Sequence, residues 1–143
     1  MKKLLLTINL LFFIGQLSFA QTPLSLNGRL KLVGNQLSNQ CGSPVQLRGM
    51  STHSALTYKN CLTEAGISSL ATAGSDLIRL AIYPEPTGTA PNNTPAYQAD
   101  SVANNAYILS IVNLAEKYGM YVIVDWHVLS DQTPTKNQPA AEK

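Results

Sequence analysis

Metal-ligating and nucleotide-binding signatures are the first things missing from these 143 residues. Only two histidines and two cysteines occur, with no CxxC pair and no Cys/His cluster, so no structural zinc and no other cofactor is expected. No GxGxxG or GxxxxGK segment is present, and the turn after the first expected strand reads Ser51-Thr52-His53-Ser54, which sets nucleotide binding aside. Charge is scarce as well: ten Lys and Arg stand against eight Asp and Glu, a formal net charge of +2. Two of those lysines, Lys2 and Lys3, lie in an N-terminal leader, so the remainder is neutral and indicates no nucleic-acid or anionic-membrane partner. The longest apolar run, Leu4 to Leu17, is broken by Thr7, Asn9, Gly15 and Gln16 and falls short of the roughly 20 residues that span a bilayer.

What is there begins with that run. A basic start, a short apolar stretch and Ser18-Phe19-Ala20 match a secretory signal peptide over residues 1–20, cleaved after Ala20. The expected location is therefore secreted, extracellular or periplasmic, with residues 21–143 as the exported part and no membrane association after cleavage. Gln21, not a cysteine, follows the cut, so nothing suggests a lipid anchor. Cys41 and Cys61 both lie in the exported part, where disulfides persist, and a bridge between them is expected. Asn92-Asn93-Thr94 is a glycosylation sequon, a weak signal as a tripeptide.

Along the chain, Asn27-Gly28 and Gly34-Asn35 punctuate short alternating segments and predict a β-hairpin-like leader from Leu24 to Gln36. The rhythm then changes. Strands are predicted over Val45 to Met50, Leu77 to Tyr83 and Tyr121 to His127, and helices over Leu62 to Ala73 and Tyr97 to Tyr118. Alternation of strand and helix argues for βαβ units in an α/β fold with a parallel sheet. Parity then favours a closed (β/α)8 TIM barrel over an open sheet. Leu77, Arg79, Ala81 and Tyr83 share one face of the second strand, Tyr121, Ile123, Asp125 and His127 share one face of the third, and Gly49, Ser51 and His53 line the first. Each strand thus turns small or polar groups to one side at its C-terminal end, where a barrel places its active site. A full barrel takes about 250 residues. The residues from 21 onward supply only about the first three β/α units, so the chain reads as the truncated N-terminal part of a catalytic domain, with Asp131 to Lys143 entering a further helix.

His53, Arg79, Tyr83, Asp125, Trp126 and His127 are the candidates for chemistry. A guanidinium among apolar neighbours needs a carboxylate, and the sequence alone does not show which acid serves Arg79; a partner on strands beyond Lys143 is expected. Asp125, two residues before His127 on the same face, either orients that ring or caps the strand end. Tyr58, Tyr83 and Trp126 are of the type that stacks on sugar rings, although the parity of Trp126 points it outward.

Three segments carry a resemblance: Pro44-Val45-Gln46-Leu47-Arg48-Gly49-Met50-Ser51-Thr52-His53, Ile78-Arg79-Leu80-Ala81-Ile82-Tyr83, and Tyr121-Val122-Ile123-Val124-Asp125-Trp126-His127-Val128-Leu129-Ser130-Asp131. In order and spacing they resemble the start of glycoside hydrolase family 5, on its endo-β-1,4-glucanase (cellulase) branch. The resemblance implies a retaining glycosidase that uses two glutamates, an acid/base after the fourth strand and a nucleophile at the end of the seventh, both beyond Lys143. It implies that Arg79 supports the nucleophile and that His53 and His127 contact the substrate; with Tyr58 and Tyr83, read above as sugar-stacking types, they make up the expected substrate-binding set. Asn60-Cys61-Leu62-Thr63-Glu64 resembles members in which this cysteine pairs with one just before the first strand, which adds to the expected Cys41–Cys61 bridge. The implied partner is a β-linked polysaccharide, cellulose or a related glucan. His53-Ser54-Ala55-Leu56-Thr57-Tyr58 departs from the family's glycine and aromatic pair after the histidine, so a β-mannan or mixed-linkage glucan stays open. Two other readings compete: a metal-dependent TIM-barrel hydrolase using His53 and His127, and a secreted carbohydrate-binding protein without catalysis.

Overall fold

A computed structural model describes residues 21–84, 96–128 and 134–142. The expected signal peptide at residues 1–20, the sequon and the segment Leu129 to Thr133 lie outside the described residues. The chain opens on a short helix, α1 (Pro23–Asn27), where a hairpin strand was expected. Thr22 explains it: its side chain accepts from the Ser25 N–H at 3.2 Å, and Pro23 at the first helical position has no N–H to leave unpaired. Asn27-Gly28 is accordingly a helix end, with Gly28 at φ 61°, and not a hairpin turn. The hairpin lies further on, as β1 (Lys31–Val33) and β2 (Gln36–Ser38), antiparallel around Gly34-Asn35.

The first strand of the main sheet, β3 (Gly49–Ser51), is shorter than the expected Val45 to Met50. The preceding residues bond elsewhere: Pro44 bridges Ser38, Val45 donates to the Leu37 carbonyl at 2.9 Å, and the Arg48 N–H is taken by the Asp76 carboxylate at 2.8 Å. Helix α2 (Glu64–Thr72) starts at its cap, where Thr63 Oγ1 accepts from the Gly66 N–H at 3.3 Å. Leu62 just outside the cap and Ile67 inside it are both buried in the same cluster, fixing how the chain enters the helix. Strand β4 (Leu77–Ile82) follows, then a 3-10 turn at Tyr97–Asp100 and helix α3 (Ser101–Lys117). Asp100, at φ −154°, separates turn from helix and caps the latter by accepting from the Ala103 N–H at 3.0 Å. Gly119, at φ 71°, turns the chain into β5 (Tyr121–Trp126), and a second 3-10 turn leads to α4 (Gln138–Ala141).

Strands β3, β4 and β5 form one parallel sheet in that order. Three adjacent parallel strands joined through helices match the expected successive β/α units of a (β/α)8 barrel. Ile78, Leu80 and Ile82, on alternate positions of β4, are buried against Ile67 of α2, Ile111 and Ala115 of α3, and Met120. Each such side chain contributes on the order of 1.5–3 kcal/mol by leaving water, so this wedge is the core. The opposite parity of β4 carries Arg79, Ala81 and, just beyond its end, Tyr83. Helix α1 docks under the far end of the sheet, with Leu24 N–H donating to the Gly119 carbonyl at 2.9 Å and Tyr121 Oη to the Gly28 carbonyl at 2.6 Å. Among the described residues no helix is long and apolar enough to cross a membrane.

Candidate active site

The parallel register brings three side chains together at the C-terminal ends of the strands. Ser51 pairs with Arg79, and Asp125 stands opposite Ala81, two residues beyond the Arg79 pairing. From the middle strand Arg79 reaches both ways. Its Nη1 donates to Ser51 Oγ at 2.6 Å, and its Nη2 makes an ion pair with Asp125 Oδ2. The partner expected on later strands is therefore already present, as Asp125. Sequence parity put both residues on one face but could not supply the register that makes them neighbours.

His127 joins the same carboxylate. Its Nδ1 lies 2.8 Å from Asp125 Oδ2 and 3.1 Å from Arg79 Nη2, while its backbone N–H donates to the Ile82 carbonyl at 2.8 Å. Of the two roles open to Asp125, orienting the ring is the one the geometry shows. Tyr83 stacks beside His127 with ring centroids 5.2 Å apart, and its Oη sits 3.4 Å from His53 Nδ1. Burial pushes the Tyr83 phenol above its usual pKa, with the Arg79 charge opposing that shift. The group is neutral at physiological pH, so it remains a hydrogen-bond donor. His53 is edge-on to Tyr83 at 5.7 Å and to the exposed Tyr58 at 6.2 Å. Thus His53, Arg79, Tyr83 and His127 converge, and Tyr58 forms the outer rim of the group.

Two contributors carried no role at the level of sequence. Ser51 accepts from Arg79, and Thr52 Oγ1 accepts from the Ala81 N–H at 3.0 Å, locking the exit of β3 against β4. The small polar run Ser51-Thr52 on a strand end was the available signal. Trp126 packs outward, edge-on to Tyr97 at 5.1 Å, in agreement with its parity. The cysteines depart from expectation. Both are free and exposed: Cys41 sits in a turn held by Asn39 Oδ1, Cys61 in a separate turn closed on the Tyr58 carbonyl, and no hydrogen bond among the described residues joins the two turns.

Of the carboxylates, Asp76 lies at the opposite strand ends, Asp100 caps α3, and Glu64 and Glu116 are on helices. Asp125 is the one acid at the strand C-termini among the described residues. Nor do three His, Cys, Asp or Glu side chains among them gather into a metal-holding group. The arrangement can orient a polar ligand, place a fixed positive charge beside it and present aromatic edges and faces.

Comparison with known proteins gives this arrangement its context. A family model described as cellulase (glycosyl hydrolase family 5) matches residues 38–143. Endoglucanase E-5 of Thermobifida fusca is 34% identical over 122 residues, covering 85% of this chain and 24% of that protein. Endoglucanase CelA of Streptomyces lividans is 36% identical over 117 residues, 81% of this chain and again 24% of the relative. The chain thus spans about a quarter of the length of these curated relatives. Among solved structures, the catalytic domain of the Thermobifida fusca endoglucanase Cel5A superposes with a TM-score of 0.75 at 34% identity, over 85% of this chain and 37% of that one. A second structure of that domain, in complex with cellotetraose, matches equally well.

Proposed function

The chain belongs to glycosyl hydrolase family 5, and on that premise we propose that it is the N-terminal part of a secreted, endo-acting β-glucan hydrolase that retains anomeric configuration. The observation that carries this reading is the Arg79 guanidinium, held at the strand C-termini by Ser51 and Asp125. Arginine has five N–H donors in a planar fork, and these contacts leave donors available for a further carboxylate. Retention needs two carboxyl groups about 5–5.5 Å apart, one attacking the anomeric carbon while the other protonates the departing oxygen. We place both outside these 143 residues, since among the described residues Asp125 alone stands at the strand ends and is already committed to Arg79 and His127. The nucleophile then sits beside Arg79, whose charge keeps it ionised and aimed. His127, His53, Tyr83 and Tyr58 line the sugar-binding surface. A glucan is favoured because the matched relatives are named endoglucanases and cellotetraose occupies one of the neighbouring structures; mannan is the alternative to test beside it. Export through residues 1–20 rests on their signal-peptide pattern.

The test is to express residues 21–143 beside a version extended through eight strands. Reducing-sugar release is then assayed on carboxymethyl cellulose, mixed-linkage glucan and mannan. The long form is expected to act on the glucans and the short form on none. Equal activity in both would mean that the carboxylate pair lies within this chain. Binding without cleavage is the second reading, favoured by the single strand-end carboxylate among the described residues. Activity of the long form would remove it for the parent.

A further inference from the structure

We propose that Asp125 is a positioning residue that fixes the tautomer of His127, with the proton on Nδ1, so that the ring offers Nε2 to its ligand as a hydrogen-bond acceptor. The argument starts from one oxygen. Asp125 Oδ2 meets both Arg79 Nη2 and His127 Nδ1, the latter at 2.8 Å. Arg79 Nη2 also lies 3.1 Å from Nδ1, so two proton arrangements compete. If Nδ1 carried the lone pair it could accept from Arg79, but that lone pair would then face a carboxylate oxygen at 2.8 Å. If Nδ1 carries the proton, the same short contact becomes an N–H donated to an anion. Such charge-assisted bonds are about twice as strong as neutral ones. Arg79 loses nothing in that arrangement, because Nη2 has the same Oδ2 to donate to. A bond from Arg79 to Nδ1 would be charge-assisted as well, but it is the longer contact and sets the Nδ1 lone pair against the carboxylate, so the Asp125 contact decides the tautomer.

Ser51 completes the clasp from the other strand. Its hydroxyl spends its one proton on the Thr52 carbonyl at 3.0 Å, so toward Arg79 Nη1 it is purely an acceptor. Arg79 is therefore fixed between β3 and β5, and its pose determines which side of Oδ2 is left for His127. Tyr83, tilted 31° to the imidazole, and His53 and Tyr58 beyond it are the remaining titratable groups on this side among the described residues. A ligand hydroxyl donating to Nε2 would follow, as the ring has no other acceptor. That last step rests on the glycan-hydrolase reading; the tautomer does not.

The experiment is long-range ¹H–¹⁵N correlation of the histidine side chains in the full-length protein, joined to steady-state kinetics. His127 should show a protonated Nδ1 and an unprotonated Nε2 at neutral pH. D125N, whose amide can donate to Nδ1 or turn away, should shift the proton to Nε2 and lower kcat/KM by roughly 10- to 100-fold, by analogy with the loss of the outer partner of a metal-bound His. S51A should lower activity through Arg79 while leaving the tautomer unchanged. A wild-type spectrum with the proton on Nε2 overturns the proposal without reference to any variant or to its folding. A spectrum as expected from a protein that cleaves no β-glucan would leave the tautomer standing and overturn the hydrolase reading instead.

Discussion

The central strand β4 and the edge strands β3 and β5 lie in opposite surroundings, although β5 is as apolar as β4. Leu80 is 0% exposed and Ile78 and Ile82 are each 1% exposed, whereas Met50 on β3 is 59% and Val124 on β5 is 54% exposed. Parallel strands are built to be covered on both faces, and only β4 has both edges paired and helices packed across its outer side. At the C-terminal rim the contrast disappears. Ser51, Arg79 and Asp125 come one from each strand and are tied together as fully at the edges as at the centre. Polar contacts at this end need only adjacent strands in register, while burial needs the layers beyond them. The site's arginine clasp is thus local to three strands, and apolar packing is not.

The sharpest way to break this comparison is by truncation on the two kinds of strand. Leu80→Ala should cost about 2–5 kcal/mol, the usual range for emptying a buried leucine site. Val124→Ala, on an exposed edge, should stay within about 0.5 kcal/mol. Denaturant melts of residues 21–143 give both numbers, and a Val124→Ala cost near that of Leu80→Ala would show that β5 is covered in solution. At the rim, Arg79→Ala in the full-length protein should lower turnover on soluble β-glucan on the order of 10- to 1,000-fold, because an adjacent cation is worth about 1–3 pKa units to a carboxylate. KM should change far less. Unchanged turnover would remove Arg79 from the mechanism.

A smaller effect tests the wedge itself. Thr63→Ala removes the cap of α2 and should cost about 1 kcal/mol, with Thr63→Ser recovering most of it. If alanine and serine melt alike, the cap is not what sets the start of that helix.

Much of this organisation was legible in the residues. Alternation in Leu77 to Tyr83 and Tyr121 to His127 located β4 and β5 to within one residue, since buried parallel strands leave little choice of apolar pattern. The parity of Arg79, Asp125 and His127 placed them on one face. What parity cannot give is stagger: the ion pair spans positions two residues apart in register, and only the sheet fixes that. The beginning of the chain is ambiguous in sequence because Asn27-Gly28 serves equally as a hairpin turn and as a helix end. Thr22-Pro23 was the discriminating signal. Likewise Val45 to Leu47 has a strand-like sequence, but Val45 spends its N–H on β2, a long-range competition no local pattern reports.

The smallest expected effect concerns the surface contact between the two helices of the wedge. Glu64 at the start of α2 accepts from Lys117 Nζ at 2.5 Å and from Tyr118 Oη at 2.9 Å, at the end of α3. The hydrogen bond from Lys117 is the main reason the Glu64 carboxyl lies below its usual pKa, followed by the bond from Tyr118 and the Lys117 charge. The same partner raises Lys117. For Glu64 the folded pKa is the lower one, so its contribution is present above the ordinary glutamate range and is lost as pH falls through the folded value. For Lys117 the folded pKa is the higher one, so its contribution is present below the ordinary lysine range and is lost as pH rises through the folded value. Both side chains are more than half exposed, so salt should screen the pair and the effect should be slight. Glu64→Gln should therefore flatten the acid limb of a stability–pH curve at low salt and change little at high salt. An alkaline limb as steep in Glu64→Gln as in the wild type would assign the Lys117 shift to some partner other than Glu64.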